Sequence, residues 1–87
     1  MHEARLVRDL VEKVVEVAAE EGAARVDTVV LEIDPRSHLT AESVRGQFAV
    51  MALNSVAANA RLDVQSAGES DAPLVFDVRI VSITVGA

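Results

Sequence analysis

The 87-residue chain has no cysteine, tryptophan or tyrosine. Without cysteine it can form no disulfide, no thiolate zinc centre and no cysteine nucleophile, so any metal must be held by nitrogen and oxygen donors alone. Aromatic side chains are limited to Phe48 and Phe76, which leaves Val, Leu, Ile and Ala to form an aliphatic interior. Basic residues are also scarce. Eight Lys and Arg stand against fourteen Asp and Glu, for a formal charge of −6, and they are scattered singly, which disfavours nucleic-acid binding. No apolar run approaches the roughly 20 residues of a membrane helix. The start His2-Glu3-Ala4-Arg5 lacks the apolar stretch of a signal peptide. The expectation is a cytoplasmic chain forming one small domain over 1–87, with a thin core that oligomerisation would reinforce.

What is present falls into five periodic segments. Leu6, Leu10 and Val14, with Val7, Val11 and Ala18, recur at three- and four-residue spacing opposite Arg8, Asp9, Glu12, Lys13, Glu16 and Glu20, the pattern of an amphipathic helix over about residues 3–21. Gly22 is placed to end it in the left-handed conformation. From Arg25 the period becomes two, with Val29, Leu31 and Ile33 on one face and Thr28, Val30, Glu32 and Asp34 on the other: a half-buried strand. Asp34-Pro35-Arg36-Ser37 reads as a turn and Thr40 as the cap of a second helix. That helix buries Val44, Phe48 and Met51 and ends near Asn54. Asn54 and Asn59 mark turns, since asparagine is the non-glycine residue most tolerant of positive φ.

Ala60, Leu62 and Val64 then alternate with Arg61, Asp63 and Gln65 as a second strand, and residues 66–73 form a polar loop. In the last segment, Leu74 to Val85, the apolar phase slips. Phe76, Val78 and Ile80 share one parity and Val81, Ile83 and Val85 the other, which implies a bulge or burial on both faces. The expected fold class is α+β, in the order αβαββ, with two helices on one face of a three-stranded sheet.

The chemistry is concentrated at the start. A histidine at position two sets its imidazole beside the α-amine of Met1 and beside its own peptide nitrogen, so three nitrogens can close around one cation in fused chelate rings. Such a near-planar nitrogen set suits Ni²⁺ or Cu²⁺. Read without that chelate, His2 is a solvated residue at a fraying helix start and Glu3 a first-turn acid that favours the helix dipole. His38, in the loop before the second helix, is a candidate additional ligand; its plain reading is a solvated loop histidine. The acidic pairs Glu12/Glu16 and Glu16/Glu20 read as a solvated face. An enzyme is disfavoured: Ser37 and His38 are adjacent in sequence, and there is no phosphate-gripping glycine loop.

With its elements placed, the chain resembles the HypA/HybF family, nickel metallochaperones of nickel–iron hydrogenase maturation. Met1-His2-Glu3 meets the family's Met-His-Glu start, followed by Leu6, Leu10 and Val11 in register. Val26, Val29, Leu31 and Ile33 meet its Val-x-x-Val-x-Leu-x-Ile strand, and Glu42, Val44 and Phe48 the helix that follows. The segment Asn54-Ser55-Val56-Ala57-Ala58-Asn59-Ala60-Arg61-Leu62 stands where the family has Gly-Thr-x-Ala-x-Gly-Ala-x-Leu, with asparagine replacing both glycines.

There are departures as well. The family inserts a zinc module with two Cys-x-x-Cys pairs between its last two strands, and here only the loop 66–73 remains, so no zinc is expected. Asp34 and His38 stand where the family usually has glycine, Arg36 where it has leucine and Gly46 where it has phenylalanine. The resemblance implies transient Ni²⁺ bound by Met1, His2 and Glu3. The implied partners are the maturation GTPase and a hydrogenase large subunit. The alternative is a metal-free protein-interaction module on the same fold, with a candidate homodimer edge along the 74–85 strand.

Overall fold

The computed structural model describes residues 2–68 and 77–87, without the side chain of His2. The elements are α1 (His2–Glu20), β1 (Arg25–Ile33), α2 (Ala41–Met51), β2 (Arg61–Ser66) and β3 (Val78–Gly86), the expected order αβαββ. They form a three-stranded sheet ordered β2-β1-β3, in which β1 is parallel to β2 and antiparallel to β3. Both helices lie on one face, and the fold is the expected α+β sheet covered by two helices.

Each element follows from its pattern. In α1 the stripe Val7, Leu10, Val11, Val14 and Ala18 is buried. The helix ends where Gly22 takes φ 64°: the Ala23 amide donates to the Ala18 carbonyl at 2.9 Å and the Gly22 amide to Ala19 at 3.1 Å, the paired bonds of a glycine-terminated helix. The Thr40 hydroxyl caps α2, accepting from the Ser43 amide at 3.1 Å, and Val44 and Phe48 enter the core. The helix stops at Met51, three residues before Asn54. There Ala52 closes the last turn on the Phe48 carbonyl and Asn54 turns the chain at φ 66°. Asn59 lies in a turn without positive φ. The connection is instead held by the Ser55 hydroxyl, which donates to the Ala52 carbonyl at 2.6 Å and accepts from the Ala57 amide at 3.1 Å.

The phase slip in the last strand is a bulge. Along β1–β3 the pairing passes from Val30↔Ser82 to Leu31↔Ile80, so Val81 is an extra residue on β3. It projects into solvent, 49% exposed. One extra residue inverts the alternation, which brings Ile83 and Val85 onto the core side with Val78 and Ile80. A matching irregularity on β1 lies between Val26 and Thr28. Leu74 to Phe76, the expected start of this strand, lie outside the described residues, as does the loop stretch 69–73. The helix-free face of the sheet carries Thr28, Glu32, Arg79, Ser82 and Thr84, with Arg79 donating to Glu32 at 2.7 Å.

The register fixes what shares an end. Ile33 pairs with Ser66 on one side and Val78 on the other, so β1 and β2 finish where β3 begins. The crossover α2 runs back from that end, and α1, joined to β1 by a short turn, starts from it too. Both helix N-termini, the Asp34–Leu39 turn and both flanks of the 69–76 stretch therefore gather at one end of the sheet.

Candidate metal centre

Of the expected ligands, Glu3 and His38 lie at that end, with the backbone of His2. The α-amine of Met1 and the imidazole of His2 lie outside the described residues. The backbone of His2 opens α1, and this has a chemical consequence. The first four amides of a helix have no intrahelical carbonyl to bond, so the peptide nitrogens of His2 and Glu3 are not committed to the helix. They can lose a proton to a metal without breaking a helical hydrogen bond.

Glu3 is half-buried, and its carboxylate is engaged by α2. Ser43 Oγ and Gln47 Nε2 both donate to Glu3 Oε2, and Gln47 Nε2 also donates to Ser43 Oγ at 3.2 Å. A carboxylate that accepts from two side-chain donors is a firm anchor, and here it pins the first turn of α1 to the first two turns of α2. Sequence reasoning identified Glu3 and missed both of its partners. The signal available was the i, i+4 spacing of two polar residues flanking the apolar stripe of Val44 and Phe48, which puts Ser43 and Gln47 at the border of the core.

The Asp34–Leu39 turn is shaped by a charge that sequence patterning had not marked as buried. Asp34 is 2% exposed. Its Oδ1 accepts from the Arg36 amide at 2.9 Å and from Arg36 Nε at 2.8 Å, and Oδ2 accepts from Arg36 Nη2 at 3.2 Å. The guanidinium fork thus meets both oxygens of the carboxylate. Ser37 tightens the same turn: its amide and hydroxyl donate to the Asp34 carbonyl at 3.0 and 2.8 Å. Asp34 and Arg36, both departures from the resembled family, are therefore partners. His38 follows them, exposed, at the same end as the start of α1. A cleft of about 270 Å³ opens there between Asp34, Leu39, Ala41 and Val64.

Among the described residues no three His, Asp or Glu side chains stand close enough together to hold a metal ion.

Comparison with known proteins bears on the same residues. The profile of the family described as hydrogenase/urease nickel incorporation, metallochaperone, HypA, matches residues 1–70. Hydrogenase maturation factor HypA of Rhodopseudomonas palustris is 35% identical over 66 residues, covering 76% of this chain and 58% of that protein. HypA 1 of Bradyrhizobium diazoefficiens is 36% identical over 64 residues, covering 74% and 57%. The chain thus spans under three fifths of the length of these curated relatives.

In fold it is similar to the nickel metallochaperone HypA from Helicobacter pylori, with a TM-score of 0.84 at 20% identity, covering 100% of this chain and 99% of that one. A second solution structure of a HypA protein gives 0.78 at 20% identity, over 98% and 96%. No helix among the described residues is long and apolar enough to cross a membrane. The profile match over most of the chain, with two relatives above 30% identity, establishes that the chain belongs to the HypA family of hydrogenase and urease nickel-incorporation metallochaperones, whose members deliver metal rather than catalyse a reaction.

Proposed function

We propose that this chain is a cytoplasmic nickel carrier for nickel–iron hydrogenase maturation that captures Ni²⁺ at its first residues and hands it on. The Met1 amine, the His2 imidazole and the His2 peptide nitrogen form the chelate. Glu3 completes it through its peptide nitrogen, its carboxylate being engaged by α2. His38 is the additional ligand within the same end of the fold. The observation that carries this reading is the position of the His2 and Glu3 backbone at the opening of α1, where peptide nitrogens are unclaimed by the helix.

Electrostatics supports it as well. A bare cation is disfavoured at a helix N-terminus, where the dipole is positive. Peptide nitrogens that release protons on binding turn the divalent ion into a near-neutral complex, and the Glu3 carboxylate adds negative charge alongside. By membership of the family, the acceptors are the maturation GTPase and a hydrogenase large subunit. The loop over 66–73 replaces the zinc module in a single domain over 1–87, and the absence of cysteine removes any thiolate zinc site from this chain.

Native mass spectrometry of the chain with one equivalent of Ni²⁺ tests the chelate. One bound nickel is expected, lost when a single residue is added before Met1 and the amine becomes an amide. Retention of nickel by the extended chain would overturn this ligand set.

A second reading has its own observation. The edge strand β3 borders a groove of about 390 Å³ lined by Leu6, Leu10, Val78 and Ile80, as a metal-free interaction module or a homodimer would need. In that case binding to the partner would survive His2→Ala unchanged.

A further inference from the structure

We propose that Ser43 and Gln47 of α2 are positioning residues for nickel capture, holding the chelating end of the chain in place through the carboxylate of Glu3. The inference rests on the reading that Met1, His2 and Glu3 take the metal.

A chelate formed by the first residues of a chain is anchored on one side only. The opening turn of a helix frays, because its amides lack helical partners. The freedom of such an end must be given up when the metal binds, and prior fixing of the ligands removes that loss. In this fold the fixing point is Glu3. Its side chain, half-buried between the helices, accepts from Ser43 Oγ and Gln47 Nε2 on the same oxygen.

The three side chains close on one another, since Gln47 also donates to Ser43. Ser43 is itself seated in the capped first turn of α2, its amide on the Thr40 hydroxyl at 3.1 Å. The tether therefore ends on an ordered helix. His2 and Met1 are one and two residues from it, so at about 3.3–3.6 Å per residue of extended chain neither α-carbon can move more than about 7 Å from that of Glu3. The same first turn of α2 follows the loop that carries His38, so the tether also sets the separation between the chelate and that loop. Groups that hold metal ligands in this way commonly change affinity by about 10–100-fold.

The test compares nickel release from the wild-type chain with that from Ser43→Ala/Gln47→Leu, Ser43→Thr, Thr40→Ala and His2→Ala, following transfer to an excess of a coloured chelator. The metal-free proteins are also compared by the NMR shifts of the amides of residues 3–6. Release at least about tenfold faster from the double variant is expected, with one nickel still bound per chain, near wild-type release in Ser43→Thr, and amide shifts that move in the double variant and return in Ser43→Thr. Thr40→Ala loosens the first turn of α2 and the Ser43 amide but keeps both donors to Glu3, so it should speed release less than the double variant does.

If the double variant releases nickel at the wild-type rate while His2→Ala binds none, the positioning role is wrong and the chelate stands. Equal acceleration by Thr40→Ala would also overturn it, since general loosening of α2 would then suffice. A wild-type chain that binds no nickel would remove the chelate and this role together.

Discussion

Asp34, closing β1, and Arg36, two residues on, form a two-point ion pair in which the carboxylate is buried and the guanidinium is 45% exposed. The asymmetry sets what each contributes. Asp34 also accepts the Arg36 amide and so shapes the turn, whereas Arg36 supplies a screened, partly solvated partner. Asp34→Ala is expected to cost about 2–3 kcal/mol, since it removes a buried acceptor of several hydrogen bonds. Arg36→Ala removes only the partly solvated guanidinium and keeps the Arg36 amide on Asp34, so it should cost less, about 1 kcal/mol. Urea unfolding of the two variants, with midpoints compared at unchanged slope, measures both.

Two glycines carry predictions of opposite sign. Gly22 holds φ 64° and Gly46 sits within α2, and a methyl group added at either meets no atom within 4 Å. Space is therefore not the issue at either position. Gly22→Ala forces an L-residue into the left-handed region and should cost about 1–2 kcal/mol. Gly46→Ala removes backbone freedom from the unfolded chain and should add about 0.5–1 kcal/mol. Thermal melting should lower the midpoint for the first and raise it for the second.

Nickel affinity should weaken steeply as the pH is lowered. An ordinary α-amine titrates at about 7.7–8.0, and the His2 peptide nitrogen must also shed a proton to bind. Protons compete with the metal, so below the amine's range each displaced proton lowers the apparent affinity about tenfold per pH unit. Acidification weakens binding and alkalinisation strengthens it. Calorimetric titrations at pH 6.5, 7.5 and 8.5 in weakly coordinating buffer check the slope; an affinity flat across that range would contradict a chelate that uses the amine.

Much of this architecture was legible in the chain because periodicity and turn chemistry are local. The stripe from Val7 to Ala18, the alternation of Val29, Leu31 and Ile33, the Thr40 cap and the left-handed Gly22 each depend on neighbours within a few residues. Even the bulge could be read, because the change of parity at Val81 is itself a sequence pattern. Asp34 was less accessible. Its surroundings include the residue just before β3, for the Asp77 carbonyl accepts the Asp34 amide at 2.8 Å, a relation between residues 43 positions apart in number.

The site was half legible for the same reason. Met1-His2-Glu3 is a contiguous motif, but the Glu3 contacts to Ser43 and Gln47 span 40 and 44 residues and exist only once the two helices lie parallel. The end of α2 shows the limit of local reading from the other direction. Asn54 takes the left-handed turn expected of it, yet the helix has already stopped at Met51, because the Ser55 hydroxyl binds the Ala52 carbonyl that a further helical turn would have used.

The central claim is that this member of the family holds nickel at its first residues. Isothermal titration of Ni²⁺ into the chain with a free Met1 amine, beside His2→Ala, tests it most directly. The account predicts one nickel per wild-type chain and no measurable binding in His2→Ala at the same protein concentration. Equal stoichiometry and affinity in the two proteins would contradict it.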